Sequence, residues 1–259
     1  MIKAPKGKKL IIADLSQIEV RTLHYLANDS EMLERIEEAD DIYEVFARRL
    51  GFWNKETDSF KNYDGGKLRH KVKQIVLGCG YGVSYKKFAA ISGFSEEEAA
   101  RCVELYRRNM WKVVKLWNNY QRKVVVANYL QKDFSIKLPS SRVLNYGKVK
   151  KNVGDKRTNY VVKQYRGGKQ VPMRAWGGLL TENASQALSR DIFSDMMLRL
   201  EAKDIKIIFH VHDEFIIEVD EEKAESVLKD VIEVMSTPPT WIPNLPLEAE
   251  GKIVNKYQK

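Results

Sequence analysis

Two short acidic segments are the parts of this chain best suited to chemistry. His212-Asp213-Glu214 lies between two mostly apolar runs, residues 205–211 and 215–219, and Asp14 directly follows the apolar run 10–13. Ionisable side chains at a tight turn are costly to keep there unless they bind something. Carboxylates at the ends of two buried strands suit a hard divalent cation, and phosphoryl-transfer enzymes use such pairs.

A second candidate is a row of side chains spaced four residues apart on a predicted helix. Its members are Arg69, Lys73, Leu77 and Tyr81. An arginine and a lysine one turn apart can contact successive phosphates of a triphosphate, although an ordinary solvated basic face is the alternative interpretation. Gly78, Gly80 and Gly82 lack the Gly-Lys-Ser/Thr ending of a phosphate loop. We therefore expect these glycines to end the helix and to let something flat approach its backbone.

The hydrophobic pattern predicts few strands and many helices to position these groups. Strands are predicted at 8–14, in a hairpin over 205–219 and near 247–254, with an irregular or strand-like region at 142–174. Helices are predicted from a capping box at Ser16 to about Leu26 and at about 41–50, 67–77, 95–131, 178–203 and 221–236. One sheet interrupted by a helical insertion is the simplest way to bring Asp14 and Asp213 together. The expected fold class is therefore α+β with a discontinuous domain.

Composition favours a polyanionic partner. The 259 residues carry a formal net charge of +9, and segment 148–174 holds nine basic residues against the single acid Asp155. Such a run, with Tyr160 and Tyr165 interleaved, can follow a phosphate backbone. Cys79 and Cys102 have no metal-ligand spacing and fit a reducing cytosol. Because the sequence has no window of about 18 apolar residues and no signal peptide, we expect neither membrane insertion nor secretion.

Five segments, taken in order, resemble motifs of the family A (DNA polymerase I-like) DNA polymerases, nearest the bacteriophage type. The segment 14–21, Asp-Leu-Ser-Gln-Ile-Glu-Val-Arg, resembles motif A, the row from Arg69 to Gly82 resembles motif B, and 211–214, Val-His-Asp-Glu, resembles motif C. Leu-Pro-Ser-Ser-Arg at 138–142 and Thr-Glu-Asn-Ala-Ser-Gln-Ala at 181–187, followed by Arg-Asp at 190–191, resemble two further segments. Each match alone is compatible with chance, but five in the family's order are not easily explained by it.

The resemblance implies a polymerase palm interrupted by fingers. Residues 1–28 and 137–259 would form the palm, an antiparallel sheet with flanking helices, and the mostly helical residues 29–136 would form the fingers. Motif A begins at Asp14, whereas the family places a thumb and usually a 3′–5′ exonuclease before it. We therefore expect no thumb or exonuclease domain in this chain. Either a separate chain supplies both or the chain is a fragment.

The resemblance also implies roles in catalysis. Asp14 and Asp213 would hold two Mg²⁺ ions, with Glu214 as an auxiliary carboxylate close by. Lys73 would bind on the α-phosphate side and could protonate pyrophosphate, and Arg69 would bind the outer phosphates. Arg21 is expected to be a structural salt-bridge partner.

Further residues would contact the nucleotide or the DNA. Gln17 and Ile18 would shape the sugar and metal pocket, Tyr81 would stack near the templating base, and Leu77 stands where many members carry an aromatic ring against the sugar. Glu19 would be the steric gate against a ribose 2′-hydroxyl, or a capping-box partner of Ser16, or both. The predicted DNA contacts are His212 near the primer terminus, Asn183 and Gln186 in the minor groove, and Arg142, Lys150, Lys151, Lys156 and Arg157. A packed or exposed histidine without function is the alternative for His212, and solvated helix residues are the alternative for Asn183 and Gln186.

The leading functional hypothesis is a template-directed DNA polymerase fragment or subunit that acts on primer–template DNA and dNTPs in the cytoplasm, or in a host's cytoplasm if phage-encoded. One alternative is a single-subunit RNA polymerase relative, which a gate at Glu19 argues against. Another is a non-catalytic DNA-binding accessory protein on a palm scaffold, against which the retention of Asp14, Lys73 and Asp213 argues. A metal-dependent nuclease does not explain the row from Arg69 to Tyr81.

Overall fold

A computed structural model of the chain describes residues 2–56, 59–153, 158–166 and 168–257. The chain divides into two compact units, one formed by Met1–Thr22 and Gln186–Lys259 and the other by Leu23–Ser185. Helices and strands are mixed in the order that the sequence predicts, so the α+β class is confirmed. The boundaries of the units are not the predicted domain boundaries at residues 28 and 136, and the assignment to palm and fingers stays a prediction.

The elements of the described residues follow one another with short connections. The strands are β1 (Lys8–Leu15), β2 (Asp133–Lys137), β3 (Val143–Lys148), β4 (Lys150–Val153), β5 (Thr158–Arg166), β6 (Lys169–Arg174), β7 (Ile207–Val211), β8 (Glu214–Asp220) and β9 (Ala249–Val254). The helices are α1 (Ile18–Leu26), α2 (Ser30–Glu37), α3 (Ile42–Arg49), α4 (Lys67–Cys79), α5 (Tyr85–Ser92), α6 (Glu96–Asn109), α7 (Trp111–Tyr129), α8 (Gly177–Glu201) and α9 (Ala224–Ser236). Short 3₁₀ segments cover Phe60–Gly66 and Glu221–Lys223.

The first unit is built on an antiparallel sheet with the strand order β7-β8-β1-β9. β1 lies between two neighbours, and its run Leu10 to Ala13 is buried, which explains why this strand is apolar at consecutive positions. α9 packs on the sheet. Phe193 of α8 stacks on Phe215 of β8 with ring centroids 4.0 Å apart. The predicted strand 8–14 and the predicted hairpin therefore share one sheet.

The second unit is mostly helical and carries two small sheets, β2-β3 and β4-β5-β6. The strand-like region predicted at 142–174 is thus organised into hairpins. The helix predicted over 95–131 is wrong as one element, because it breaks at Met110 into α6 and α7. Met110 has φ −102° and ψ 46°, which are not helical, and it is only 1% exposed, so the helix breaks at a buried residue that is neither Gly nor Pro.

α8 is the longest helix that the structure describes, with 25 residues. Polar side chains recur along it, including the buried Thr181, Ser185 and Ser189. Neither α8 nor another helix within the described ranges is both long and apolar enough to cross a bilayer.

Candidate active site

The register of β1 and β8 brings the two acidic segments together. Asp14, near the end of β1, lies opposite Glu214, the first residue of β8. The backbone N–H of Leu15 donates a hydrogen bond to the carbonyl oxygen of Asp213 over 3.2 Å. Directly opposed residues of antiparallel strands have Cα atoms about 4.5–5.5 Å apart. Asp14 is exposed, whereas Asp213 and Glu214 are half-buried. The backbone thus brings these three residues, here called the acidic cluster, to the same end of the sheet.

Two non-glycine residues with positive φ angles lie close in sequence to these acidic residues. Val211 pairs with Glu214, so His212 and Asp213 form a two-residue turn, and His212 has φ 54°. Gln17, just after β1, has φ 48°. Positive φ is uncommon outside glycine and costs about 1–3 kcal/mol where the surroundings impose it. Such strain recurs at binding and catalytic sites, and here it flanks both acidic segments.

The C-terminal segment brings a tyrosine to the acidic cluster, and sequence reasoning missed it. The N–H of Ala4 donates to the carbonyl of Asn255 over 2.9 Å, and the N–H of Tyr257 donates to the carbonyl of Ile2 over 3.0 Å. This pairing lets the Tyr257 hydroxyl donate a hydrogen bond to the Glu214 carboxylate. That hydrogen bond raises the pKa of Tyr257, with partial burial and then the charges of Glu214 and Asp14 acting in the same direction. No sequence motif marks Tyr257, since only the pairing of the two termini places it here.

The donor set of the cluster fits magnesium. Carboxylate oxygens are the hard ligands that Mg²⁺ prefers, and Mg²⁺ is usually bound through one or two carboxylates together with substrate phosphates and water. Asp14 and Asp213 can supply those carboxylates. Glu214 Oε1 is buried without a hydrogen-bond partner among the described residues, which leaves it able to accept one. Within those residues no group of three or more His, Cys, Asp or Glu side chains could hold a metal ion alone.

Arg21 fixes the segment that follows β1. Its side chain is 3% exposed and donates hydrogen bonds to the Ser16 carbonyl over 2.9 Å, the Pro246 carbonyl over 3.2 Å and Glu248 Oε2 over 2.6 Å. The prediction that Arg21 is a structural salt-bridge partner is confirmed. This contact anchors the start of α1 to the chain that leads into β9.

The nucleotide-pocket residues predicted after Asp14 lie at the start of α1. The helix begins at Ile18, and Gln17 before it is not helical, so Ser16 is not the N-cap that a capping box with Glu19 needs. Gln17 and Glu19 are half-buried, and Ile18 is buried. Their predicted contacts with the nucleotide sugar stay predictions.

The row Arg69, Lys73 and Leu77 lies on α4 in the second unit, and Tyr81 follows shortly after this helix. Lys73 and Leu77 are exposed. The Tyr81 hydroxyl donates a hydrogen bond to Ser185 Oγ over 3.3 Å, which holds the ring against the first part of α8.

Arg69 is fixed by contacts within its own unit. Its Nε lies 2.5 Å from Asp41 Oδ2, and its guanidinium carbon lies 4.9 Å from the centroid of the Tyr43 ring. Asp41 also caps α3, because its Oδ1 accepts a hydrogen bond from the Tyr43 N–H. Arg69 is therefore held in one geometry, which a freely solvated basic face would not require. Nothing in the sequence singled out Asp41.

The glycines after Lys73 let aromatic rings approach the backbone, as predicted, but these rings are side chains of the protein itself. A Cβ atom at Gly78 would lie 2.6 Å from Phe88 Cε2. At Gly82, which has φ 76°, it would lie 2.9 Å from Trp176 Cζ3. α4 continues through Gly78 to Cys79, so this glycine allows α5 to pack and does not end the helix.

Most of the predicted DNA contacts are accessible. Arg142, Lys150, Lys151, His212 and Gln186 are exposed. Asn183 is half-buried, and its Nδ2 donates to the Tyr146 hydroxyl over 3.2 Å. Lys156 and Arg157 lie outside the described residues. The contacts of these residues with DNA stay predictions.

Comparison with known proteins identifies the family. A model of DNA polymerase family A matches residues 1–162. The DNA polymerase of Bacillus phage SP02 is 30% identical over 98% of this chain and 42% of its own length, and the DNA polymerase I of Aquifex aeolicus is 25% identical over 100% of this chain and 41% of its own. In fold, the chain resembles the POL domain of Pol1 from M. smegmatis, solved with a DNA primer-template and dNTP, with a TM-score of 0.67 and 19% identity over 98% of this chain and 41% of that one.

The chain therefore spans about two fifths of the length of these relatives. The family model covers more than half of the chain, including the segment that begins at Asp14 and the row on α4. The chain belongs to DNA polymerase family A.

Proposed function

We propose that this chain carries the catalytic centre of a template-directed DNA polymerase that adds dNTPs to a primer 3′-end and releases pyrophosphate. The observation that carries the proposal is the register of β1 and β8, which sets Asp14 beside Asp213 and Glu214. Two-metal phosphoryl transfer needs adjacent carboxylates of this kind. The family supports the same chemistry.

Asp14 and Asp213 would hold two Mg²⁺ ions in this centre. When bound, these ions supply activation of the primer 3′-hydroxyl and neutralise charge on the triphosphate and the departing pyrophosphate. Glu214, hydrogen-bonded by Tyr257, adds negative charge beside the two aspartates and helps to orient what binds there.

Residues of α4 would bind the triphosphate. The exposed Lys73 ammonium is suited to the α-phosphate side and can give a proton to the leaving pyrophosphate. Arg69, whose Nε is held by Asp41, is suited to bind the outer phosphates with the rest of its planar guanidinium. Because Asp41 sets its direction, Arg69 needs little reordering when the nucleotide binds.

The remaining contacts would select the nucleotide and hold the DNA. Glu19 would disfavour a ribose 2′-hydroxyl, with Gln17, Ile18, Leu77 and Tyr81 around the sugar and base. Arg142, Lys150 and Lys151 would follow the phosphate backbone, whereas His212, Asn183 and Gln186 would contact the primer–template. The reaction would take place in the cytoplasm, or in the host cytoplasm if the protein is phage-encoded.

Primer extension on the purified protein tests the proposal, with and without the protein encoded by the upstream reading frame. Asp14→Asn and Asp213→Asn should each abolish nucleotide addition and leave duplex binding largely intact, because each removes a metal-binding charge without changing the shape of the side chain. Glu218→Gln, a half-buried carboxylate further along β8, is the matched control and should keep activity.

Three outcomes would decide against the proposal. Extension that survives both aspartate substitutions would remove the two-metal assignment. Efficient use of rNTPs in place of dNTPs would favour an RNA polymerase. Duplex binding without extension in either preparation would favour a non-catalytic DNA-binding protein.

A further inference from the structure

A groove of about 890 Å³ runs along α7 in the second unit. Residues 111, 115, 119, 122, 126 and 130 line this α7 groove, and their spacing of three or four places them on one face of the helix. α7 has 19 residues and is therefore about 28 Å long, the length of about eight nucleotides at the 3.4 Å repeat of one DNA strand. The α7 groove thus suits a chain-like ligand better than a compact one.

The charge of the α7 groove is strongly positive. The basic lining residues are Lys112, Lys115, Arg122, Lys123 and Lys132, and Asp133 is the one carboxylate among the lining residues that the structure describes. Lys112 is held by Asp29 over 2.8 Å. Lys115, Lys123 and Lys132 are exposed and make no ion pair with any residue in the described part of the chain. Such an excess of cations along one line attracts a polyanion.

Apolar surface is interleaved with these cations. Trp111 is 51% exposed, Val126 52% and Leu130 50%. The ammonium groups of Lys112 and Lys115 lie 5.8 Å and 5.9 Å from the Trp111 ring centroid. A half-exposed indole between ammonium groups offers a stacking surface for one base and charge partners for the flanking phosphates. Duplex DNA keeps its bases stacked inside, so only an unpaired strand would use both features.

We propose that the α7 groove binds single-stranded DNA, with a base stacked on Trp111 and phosphates contacted by Lys115, Arg122 and Lys123. A template-directed polymerase binds a template strand whose bases are not yet paired. The choice of DNA among polyanions therefore rests on the proposed function. The row on α4 and the acidic cluster play no part in this argument, because every lining residue belongs to α7 or to the segments 26–28 and 130–135.

Fluorescence anisotropy with a labelled 12-nucleotide oligo(dT) tests the proposal. Lys115→Glu/Lys123→Glu should weaken binding at least about tenfold and reduce the slope of log affinity against log salt by about 1.4, since each single-strand phosphate contact contributes about 0.7. Lys223→Glu/Lys229→Glu, exposed lysines at the start of α9 and on it, make the same change in net charge and serve as the matched control. This control should keep most of the affinity and the full slope.

Substitutions of Trp111 test the stacking directly. Trp111→Ala should weaken oligo(dT) binding about fivefold or more and should leave binding of an abasic oligonucleotide within about twofold, whereas Trp111→Phe should restore most of the loss. Equal loss in the groove and control double variants would overturn the proposal, as would oligo(dT) binding that does not depend on Trp111.

Poly-glutamate serves as the competing probe. If the groove substitutions remove poly-glutamate binding and leave oligo(dT) binding intact, the groove holds an acidic polypeptide and the proposal fails. No primer end or nucleotide is present in these measurements. An inactive polymerase therefore leaves this test valid, and loss of groove binding says nothing against the carboxylates of the catalytic centre.

Discussion

The buried carboxylate of Asp29, in the second unit, makes a pH-dependent contribution to the free energy of unfolding. Asp29 Oδ2 lies 3.0 Å from His24 Nδ1, and its Oδ1 lies 2.8 Å from Lys112 Nζ. Burial by itself raises the pKa of Asp29, but the hydrogen bonds and charges of His24 and Lys112 outweigh it and lower the pKa to about 2. Relative to an ordinary value near 3.8, this shift corresponds to about 2 kcal/mol of folding free energy, at about 1.4 kcal/mol per pKa unit.

The sign of the pH dependence follows from the lowered pKa. The unfolded chain binds a proton at Asp29 more readily than the folded chain, so this stabilisation is fully present above about pH 4 and is lost as the pH falls towards 2. Asp29→Asn removes the charge with little change in shape. We expect it to lower the free energy of unfolding by about 2 kcal/mol at pH 7, and the difference from the parent protein should fall to about half at pH 3.

Urea unfolding followed by circular dichroism, at several values from pH 7 to pH 3, measures this difference. Glu104→Gln changes an exposed carboxylate on α6 that makes no ion pair with any described residue, and it should alter stability by less than about 0.5 kcal/mol throughout. A loss for Asp29→Asn that stays constant from pH 7 to pH 3, or that is absent at pH 7, would refute the reasoning.

Two further substitutions test contacts that are seen in the structure and were not predicted from the sequence. Tyr257→Phe removes the hydrogen bond that orients Glu214, and because loss of such a partner of a metal-site carboxylate typically costs about 10- to 100-fold in activity, the rate of primer extension should fall at least about tenfold with little change in KM for the nucleotide. Tyr129→Phe, at a side chain that is 83% exposed, is the control, and an unchanged rate for Tyr257→Phe would remove Tyr257 from the centre. Gly78→Ala places a methyl group 2.6 Å from the buried Phe88 ring and should lower the free energy of unfolding by about 1 kcal/mol, despite the better helix propensity of alanine. Urea unfolding measures this loss, and equal or higher stability would contradict it.

The sheet of the first unit was predictable because its signals are local. The apolar run before Asp14 and the two mostly apolar runs at 205–211 and 215–219 mark β1, β7 and β8. Asp14 follows the first run, and Asp213 and Glu214 separate the other two runs. The amino-acid sequence alone therefore places the candidate carboxylates at strand ends. Their adjacency follows from the assumption of one sheet, and the register of β1 and β8 bears it out.

In the second unit, the local sequence pattern does not predict every helix or every helix boundary. The break at Met110 contains no Gly or Pro, and it falls in the core, where Met110 and Tyr106 are both buried. α2 and α5 have only 8 residues each, and neither was predicted from the sequence. A helix of that length is stabilised mainly by packing, which the sequence of the segment alone does not reveal.

Contacts between distant residues were missed for a related reason. Asp41 meets Arg69 across 28 positions. Tyr257 reaches Glu214 only because the two chain termini pair. The spacing of such residues has no periodicity that a motif could express. Asp41 and Tyr257 contact Arg69 and Glu214, which the motifs did identify. The sequence therefore predicts the candidate catalytic and binding residues better than it predicts the residues that position them.

The position of the acidic cluster depends on residues that do no chemistry. Ala13 pairs with Phe215 one position before Asp14 meets Glu214, and Phe215 is fully buried and stacked on Phe193. Because residues 10–13 and 215–217 are buried at consecutive positions, a slip of one residue would carry either Asp14 into the buried part of the sheet or an apolar residue out of it, so the core fixes the register. The same register leaves Asp14 at the first position of β1 beyond the buried run. The placement of the carboxylate next to Glu214 is therefore a consequence of where the apolar run ends.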